Sequence, residues 1–274
     1  MMPFVMVKGE NIFYEDSGQG EVPLILVHGA GGSSQRWAHQ TGGIPGVRVM
    51  AVDLPGHGQS AGELRASIPE FADFILAFAD AVGVDRFVLG GYSMGGAVTQ
   101  ECALLFPARL LGLVLIATGA RLRVNPEILA PLAKGINPFA DAKHLYGPGV
   151  SDDLLSTAAQ DLKQVQPGVF WADFTACDHF DRTQAIEQIE LPALIIGGGA
   201  DVMTPVKYSQ FLHAKLKNSH LLILDGAGHM CMEEQPEQVN KAIGEFVSAL
   251  NGPKGSNQQP PHTDARHVIK PDGN

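Results

Sequence analysis

The segment VLGGYSMGGAV, residues 88–98, decides the fold. It joins a short apolar stretch to a helical pattern and places Ser93 at the junction. Such a tight turn from strand to helix strains its central residue and needs neighbours without bulk, which Gly91 and Gly95 provide. The segment therefore predicts a turn that presents the Ser93 hydroxyl at the end of a sheet, where the helix dipole favours negative charge. The other interpretation is a glycine-rich turn in which Ser93 only caps the helix.

Short apolar stretches alternate with longer helical patterns on either side of this segment. Because the stretches are apolar at nearly every position, they predict strands buried on both faces, as in a mainly parallel sheet. We expect an α/β fold with a doubly wound sheet and right-handed crossovers. The predicted strands are residues 2–7, 11–16, 24–28, 47–53, 86–91, 110–117, 193–197 and 220–224, and the main helices are residues 69–82, 94–106, 205–216 and 236–250.

The alternation stops between residues 121 and 190, where helical patterns occur without a convincing strand. We expect residues 121–190 to form a helical cap over the sheet edge, between a first core part at residues 1–120 and a second at residues 191–251. Residues 252–274 are polar and rich in Pro and Gly, which predicts a disordered tail. The helical patterns of the insert are residues 126–134, 152–164, 167–176 and 182–188.

Composition narrows the classes of partner. The 274 residues include 19 Lys and Arg against 29 Asp and Glu, a net charge of −10 without a basic cluster, which argues against a nucleic-acid or polybasic membrane footprint. Three scattered Cys, without a CxxC pair, predict neither a disulfide framework nor a metal site. No apolar run reaches the ~18 residues of a membrane span, and no signal-peptide pattern opens the chain. We expect a cytoplasmic protein, with monomer and homodimer both open.

A serine hydroxyl needs a base to become a nucleophile, and His229 is the candidate. It lies in GAGHM, residues 226–230, after a predicted strand and before the last helix, so the topology puts it at the same sheet edge as Ser93. Two other histidines in glycine-flanked loops have structural interpretations. His28 is expected to order the loop that follows it, and His57 is expected to belong to a turn.

The base needs a carboxylate that orients it, and Asp201 is the candidate. It follows the predicted strand at residues 193–197 and lies 108 residues after Ser93 and 28 before His229. The order Ser, Asp, His is the one found in a single fold class. Asp225 and Asp53 are the alternative acids, but each is expected to close a strand or fix a turn instead.

An acyl-transfer intermediate carries an oxyanion that needs preorganised donors. The loop HGAGGSS, residues 28–34, is expected to supply the N–H of Ala30, and the residue after the nucleophile supplies the N–H of Met94. A phosphate-binding loop is the competing interpretation. The glycines lack the GxGxxG spacing and no GK[ST] follows, which argues against nucleotide binding.

Four residues are expected to border a substrate pocket. The insert is rich in aromatic side chains, of which Trp171 and Phe174 are candidates for the pocket wall, and His28 and Met230 flank the predicted oxyanion loop and base. The alternative for the aromatic residues is simple packing of the insert on the sheet.

Five motifs occur together: HGAGGSS (28–34), DLPGHGQS (53–60), GYSMGG (91–96), GADVMTP (199–205) and GAGHMCMEEQP (226–236). Because these motifs occur in this order, the chain resembles an α/β-hydrolase with a helical cap, of the carboxylesterase type. The resemblance covers about residues 5–250. The resemblance implies a serine hydrolase that cleaves small to medium carboxylic esters through an acyl-enzyme, without a metal or cofactor. Lactonases, carbon–carbon bond hydrolases and non-hydrolytic small-molecule receptors share this fold, so these alternatives stay open.

Overall fold

A single eight-stranded sheet organises the molecule. The structure is a computed structural model that describes residues 4–139 and 141–250, so the predicted tail lies outside it. The strands are β1 (Phe4–Val7), β2 (Glu10–Asp16), β3 (Val22–Val27), β4 (Val47–Val52), β5 (Phe87–Tyr92), β6 (Leu110–Ile116), β7 (Ala193–Gly198) and β8 (Ser219–Leu224). The helices are α1 (Ala38–Thr41), α2 (Ile68–Ala81), α3 (Met94–Leu105), α4 (Pro126–Leu132), α5 (Asp152–Gln164), α6 (Pro167–Asp178), α7 (Val206–Lys215), α8 (Cys231–Glu234) and α9 (Pro236–Leu250).

The strand order β1-β2-β4-β3-β5-β6-β7-β8 confirms the predicted α/β fold. Strands β1 and β2 form an antiparallel hairpin, and β2 joins β4 antiparallel. Every pairing from β4 through β8 is parallel. The carboxyl ends of these strands therefore meet at one edge, and the turn after β5 lies near the middle of that edge.

Both faces of the sheet are covered by helices. Along β3, Ile25 and Val27 join the apolar cluster that includes α2 and α3, whereas Leu24 and Leu26 join the cluster on the opposite face with α9. All four side chains are completely buried. This two-sided burial explains why the strands are apolar at consecutive positions rather than at alternate ones.

Helix α2 begins after Ser67, at a position where a serine hydroxyl commonly accepts a hydrogen bond from the backbone of the first turn. The hydroxyl of Ser67 donates to the Glu70 carboxylate at 2.5 Å and makes no bond to the backbone of the first turn. A carboxylate is a stronger acceptor than a neutral partner, so the two exposed side chains bond to each other.

The insert between β6 and β7 is helical, with α4, α5 and α6 in the described residues 121–139 and 141–190. Helix α5 has the predicted bounds, and the Ser151 hydroxyl accepts a bond from the Leu154 N–H at 3.3 Å. The helix predicted at residues 182–188 is wrong. Only the short 3₁₀ turn Ile186–Gln188 forms there. Asp181, three residues after the end of α6, instead pairs with Arg121 in an isolated β-bridge, so the chain enters this stretch in a non-helical conformation.

Strands β6 and β7 are direct neighbours although the insert separates them in sequence. Their register pairs Leu113 with Ala193 and Ile116 with Ile196. Because the two strands are parallel, the chain leaves β6 at the carboxyl edge of the sheet and enters β7 from the opposite edge. The segment that holds α4 to α6 begins and ends at one place, where Arg121 and Asp181 form an isolated bridge. Next to it, the Arg182 N–H donates to the Ala120 carbonyl at 2.7 Å. In the described ranges 4–139 and 141–250, every helix is too short or too polar to cross a bilayer.

Removal of the Phe78 side chain tests the core under α2. Phe78 is fully buried, and its ring lies 5.4 Å from the Tyr14 ring and 6.5 Å from the Phe74 ring. Phe78→Ala should lower the free energy of unfolding by about 3–5 kcal/mol, because it leaves a cavity in a packed interior. Leu105→Ala, at a position 49% exposed in another helix, is the control and should cost under about 1 kcal/mol. Equal losses in urea unfolding would contradict this packing.

Candidate active site

The turn between β5 and α3 holds Ser93 in a strained conformation. Its φ is 54° and its ψ is −120°, which residues with a side chain rarely adopt. A Cβ on Gly91 would overlap the backbone of Gly95, and a Cβ on Gly95 would overlap the carbonyl of Val27. The glycines on either side are therefore required by the close approach of helix and strand.

Two residues at the carboxyl end of the adjacent strand hold the backbone N–H and carbonyl of Ser93. Its N–H donates to the carbonyl of Ile116 at 3.0 Å, and its carbonyl accepts a bond from the Thr118 hydroxyl at 2.8 Å. These partners lie at and just beyond the end of β6. The adjacent strand thus fixes the strained residue at the carboxyl edge of the sheet.

His229 and Asp201 are hydrogen-bonded at the same edge. The Nδ1 of His229 lies 2.9 Å from Oδ2 of Asp201, and both side chains are almost fully buried. The other carboxylate oxygen accepts the N–H groups of Met203 and Thr204 at 2.8 and 2.9 Å. Since a carboxylate only accepts, Nδ1 carries the proton and Nε2 is left with the lone pair that a base needs.

The Asp201 carboxylate stays ionised despite its burial. Burial by itself raises the pKa of Asp201, but hydrogen bonds from His229 and Thr204 outweigh it and leave the pKa below its ordinary value. An ionised carboxylate in this position favours the positive charge that His229 acquires when it accepts a proton.

Ser93 and His229 line one cavity, of about 60 Å³, together with Ala30 and Met230. Among residues 4–139 and 141–250, none of the hydrogen bonds joins the Ser93 hydroxyl to His229. Bonds between nucleophile and base commonly tighten only when a substrate is in place. The structure thus brings the three predicted residues to one site, with Asp201 and His229 hydrogen-bonded to each other.

The two predicted oxyanion donors are available. In the part of the chain that the structure describes, no hydrogen bond uses the N–H of Ala30 or of Met94. Ala30 borders the cavity, and Met94 is the first residue of α3, whose initial N–H groups have no partner inside the helix. Both groups could therefore bind a developing negative charge.

A comparison with known families decides the classification. Residues 24–242 match the family model described as "Alpha/beta hydrolase family". The chain belongs to the alpha/beta hydrolase family.

Relatives of this α/β-hydrolase include esterases. A pimeloyl-[acyl-carrier protein] methyl ester esterase of Neisseria meningitidis serogroup B (strain H44/76) is 30% identical, over 82% of this chain and 92% of its own length. The solved structure of a thermophilic esterase is 31% identical, with a TM-score of 0.80 over 90% of this chain and 97% of that one. These similarities support a hydrolase and, in general terms, ester hydrolysis.

A third relative is longer than this chain. The dihydrolipoyllysine-residue acetyltransferase component of the acetoin cleaving system of Pseudomonas putida is 32% identical over 86% of this chain. The chain spans 66% of the length of that relative.

The cavity wall of this α/β-hydrolase differs in part from the expected one. Phe174 and Met230 line the cavity, but His28 and Trp171 do not. His28 is fully buried at the start of the loop of residues 28–34, and Trp171 is 40% exposed on α6. The other lining residues are Gly31, Gly32, Arg36, Tyr92, Phe139, His144, Leu145, Tyr146, Ala158, Leu162, Phe170 and Met203.

The hydrogen bonds of His28 keep its ring neutral. Its Nδ1 lies 2.8 Å from the Gly29 carbonyl and must donate, whereas its Nε2 accepts the N–H of Leu54 at 3.1 Å. Burial and the nearby His57 lower the pKa of His28 to about 3. The predicted structural role in ordering the oxyanion loop agrees with these contacts.

The alternative acids contact other groups. Asp53 accepts the N–H of Ser34 at 2.6 Å and the N–H of Gln59 at 2.7 Å, so it ties the oxyanion loop to the following turn. Asp225 is exposed at the end of β8. The carboxylate beside His229 is that of Asp201.

Two contributors to the site have no motif of their own. The Thr204 hydroxyl donates to Asp201 at 2.8 Å, and the Glu234 carboxylate accepts the N–H groups of Gly228 and Gly147 at 2.8 and 2.9 Å. Glu234 thereby joins the loop of His229 to the insert. Their positions inside the quoted motifs GADVMTP and GAGHMCMEEQP were the only signal in the sequence.

The neutral ring of His28 should make stability depend on pH. Between about pH 3 and 6.5 the unfolded chain binds a proton at His28 that the folded chain does not, so folding weakens as the pH falls. Over this range His28 should contribute about 1.4 kcal/mol per pH unit to the slope of the free energy of unfolding against pH. When that free energy is measured by urea unfolding between pH 7 and 4, the slope for His28→Gln should be smaller by this amount. An identical slope in the variant and the wild type would refute the assignment.

Proposed function

We propose that this α/β-hydrolase is a serine hydrolase that cleaves carboxylic esters of small to medium size through an acyl-enzyme. The observation that carries the proposal is the 2.9 Å bond between Asp201 and His229, because His229 lines the same cavity as the strained Ser93. The esterase relatives support the reaction class. Residues 121–190 are proposed to act as its cap.

The mechanism begins with the Ser93 hydroxyl. Its oxygen attacks the ester carbonyl while Nε2 of His229 takes the proton, and Asp201 stabilises the imidazolium that results. The N–H groups of Ala30 and Met94 bind the oxyanion of the tetrahedral intermediate, and each such donor is worth about 3–4 kcal/mol in the transition state. His229 then returns the proton to the leaving alcohol.

Water completes the cycle. With the alcohol gone, His229 deprotonates a water molecule that attacks the acyl carbon, and the same two N–H groups hold the second oxyanion. Ser93 recovers its proton from His229 as the acid is released. The proposed cycle runs through side chains and backbone alone.

The cavity favours a short acyl or alcohol group. Its volume is about 60 Å³, and three phenylalanine rings of the insert line it. The rings of Phe139 and Phe170 lie 4.7 Å apart, and the Phe174 ring lies 5.8 Å from Phe170 and 5.7 Å from Phe139. A chain of more than a few carbons would have to displace this cluster.

Replacement of the nucleophile tests the proposal. Ser93→Ala should lower kcat on an activated ester by about 10⁴–10⁶-fold, because the acyl-enzyme cannot form. The control Ser156→Ala, at an exposed position of α5, should leave the rate unchanged. A fluorophosphonate should label Ser93, with the adduct located by mass spectrometry. Undiminished hydrolysis by Ser93→Ala would reject the mechanism, and acylation limited to a single turnover would favour a receptor.

Substrate length tests the aromatic wall. Phe174→Ala should shift the preferred acyl chain of a p-nitrophenyl ester series towards longer chains, because it removes a ring from the cavity wall. Trp171→Ala, on the same helix but outside the wall, is the matched control and should keep the wild-type profile. If both variants gave the wild-type profile, the wall would not limit chain length.

A further inference from the structure

Asp173 joins the cap to the oxyanion loop through a buried carboxylate. It lies on α6 and is completely buried. Its Oδ2 accepts the N–H of Gly31 at 2.7 Å and also lies 2.8 Å from Nε2 of His57. Its Oδ1 is buried without a hydrogen-bond partner in residues 4–139 and 141–250. An ionised carboxylate that is fully buried, with one oxygen lacking a hydrogen bond, needs a positive charge beside it.

His57 provides that charge. Its Nδ1 lies 3.0 Å from the Pro55 carbonyl, and its Nε2 faces the Asp173 carboxylate. Both neighbours only accept, so both ring nitrogens donate and the ring is an imidazolium. Burial lowers the pKa of His57, but the charge and hydrogen bond of Asp173 outweigh burial and leave the pKa above its ordinary value.

Gly31 is the part of the oxyanion loop that this ion pair holds. It follows Ala30 directly, and its φ of +64° lies in the left-handed region. A Cβ at this position would overlap the ring of Phe170, which is also on α6. The loop is thus in close contact with the cap helix, and its hydrogen bond across that contact goes to Asp173.

We propose that Asp173 is a positioning residue for the oxyanion hole: held by His57, its carboxylate fixes the Gly31 N–H and thereby aims the neighbouring Ala30 N–H at the reacting carbonyl. Docking of α6 and assembly of the hole are then one event. The inference rests on the proposed serine mechanism. Its rival is an ion pair that only attaches the cap.

The preference for an oxygen over a sulfur anion separates these two roles. A thionoester develops its negative charge on sulfur, which is larger and a weaker acceptor than oxygen, so it gains less from the two N–H donors. The ratio of kcat/KM for an oxoester to that for the matching thionoester therefore reports on the hole. Both values come from one sample, so the amount of folded enzyme cancels.

Asp173→Ala should lower this ratio by about tenfold or more, with kcat for the oxoester reduced and its KM within about twofold of the wild type. Asp173→Asn keeps an oxygen acceptor, so its ratio should fall by only about threefold, since a neutral amide accepts a weaker hydrogen bond than a carboxylate does. The matched control is Asp178→Ala. That carboxylate is also on α6 and accepts a backbone N–H, from Val124 at 3.0 Å, but makes no hydrogen bond with the described residues 28–34.

An unchanged ratio in Asp173→Ala, or an equal fall in Asp178→Ala, would overturn the inference. If Asp173→Ala does not fold, Asp173→Asn decides by the same criterion. Fluorophosphonate labelling of the wild type keeps this result separate from the proposed function. Absence of an adduct at Ser93 would remove the serine mechanism, whereas labelling at Ser93 with an unchanged ratio would remove only the role of Asp173.

Discussion

The site depends on one backbone constraint: a non-glycine residue held in the left-handed region at the end of β5. A strained residue persists only where its surroundings determine it from several sides. Here the carbonyl of Ile116 and the hydroxyl of Thr118 hold the two peptide groups of Ser93, and the helix lies so close that Gly95 cannot carry a side chain. The parallel pairing of β5 with β6 therefore directs the hydroxyl of Ser93 to the carboxyl edge of the sheet.

Two neighbouring histidines differ in charge because their burial, their charged neighbours and their hydrogen-bond partners differ. The rings of His28 and His57 lie 4.9 Å apart, and both are buried. His28 has one acceptor and one donor as neighbours and is neutral, whereas His57 has two acceptors and is charged. Each ring fixes a different segment beneath the cavity, and one neutral ring avoids the repulsion of two buried positive charges.

Local patterns predicted the sheet well because the central parallel strands β3 to β7 are buried on both faces, as residues 24–27 show. The same patterns placed Ser93, His229 and Asp201 near one edge, since topology alone brings strand ends together. They could not find Asp173, which lies 142 residues from Gly31 and has the helical surroundings of any cap residue. They also misassigned His28 to the pocket wall, because burial beneath a loop leaves no periodic signal.

The bridge between Arg121 and Asp181 has an evolutionary consequence. Because the Arg182 N–H also donates to the Ala120 carbonyl, helices α4 to α6 leave the core and return to it at one place. A segment anchored in this way can be lengthened, shortened or exchanged without any slip in the sheet beneath it. Substrate selectivity can thus change by replacement of one contiguous segment, provided that the new segment again places a buried acceptor next to the Gly31 N–H.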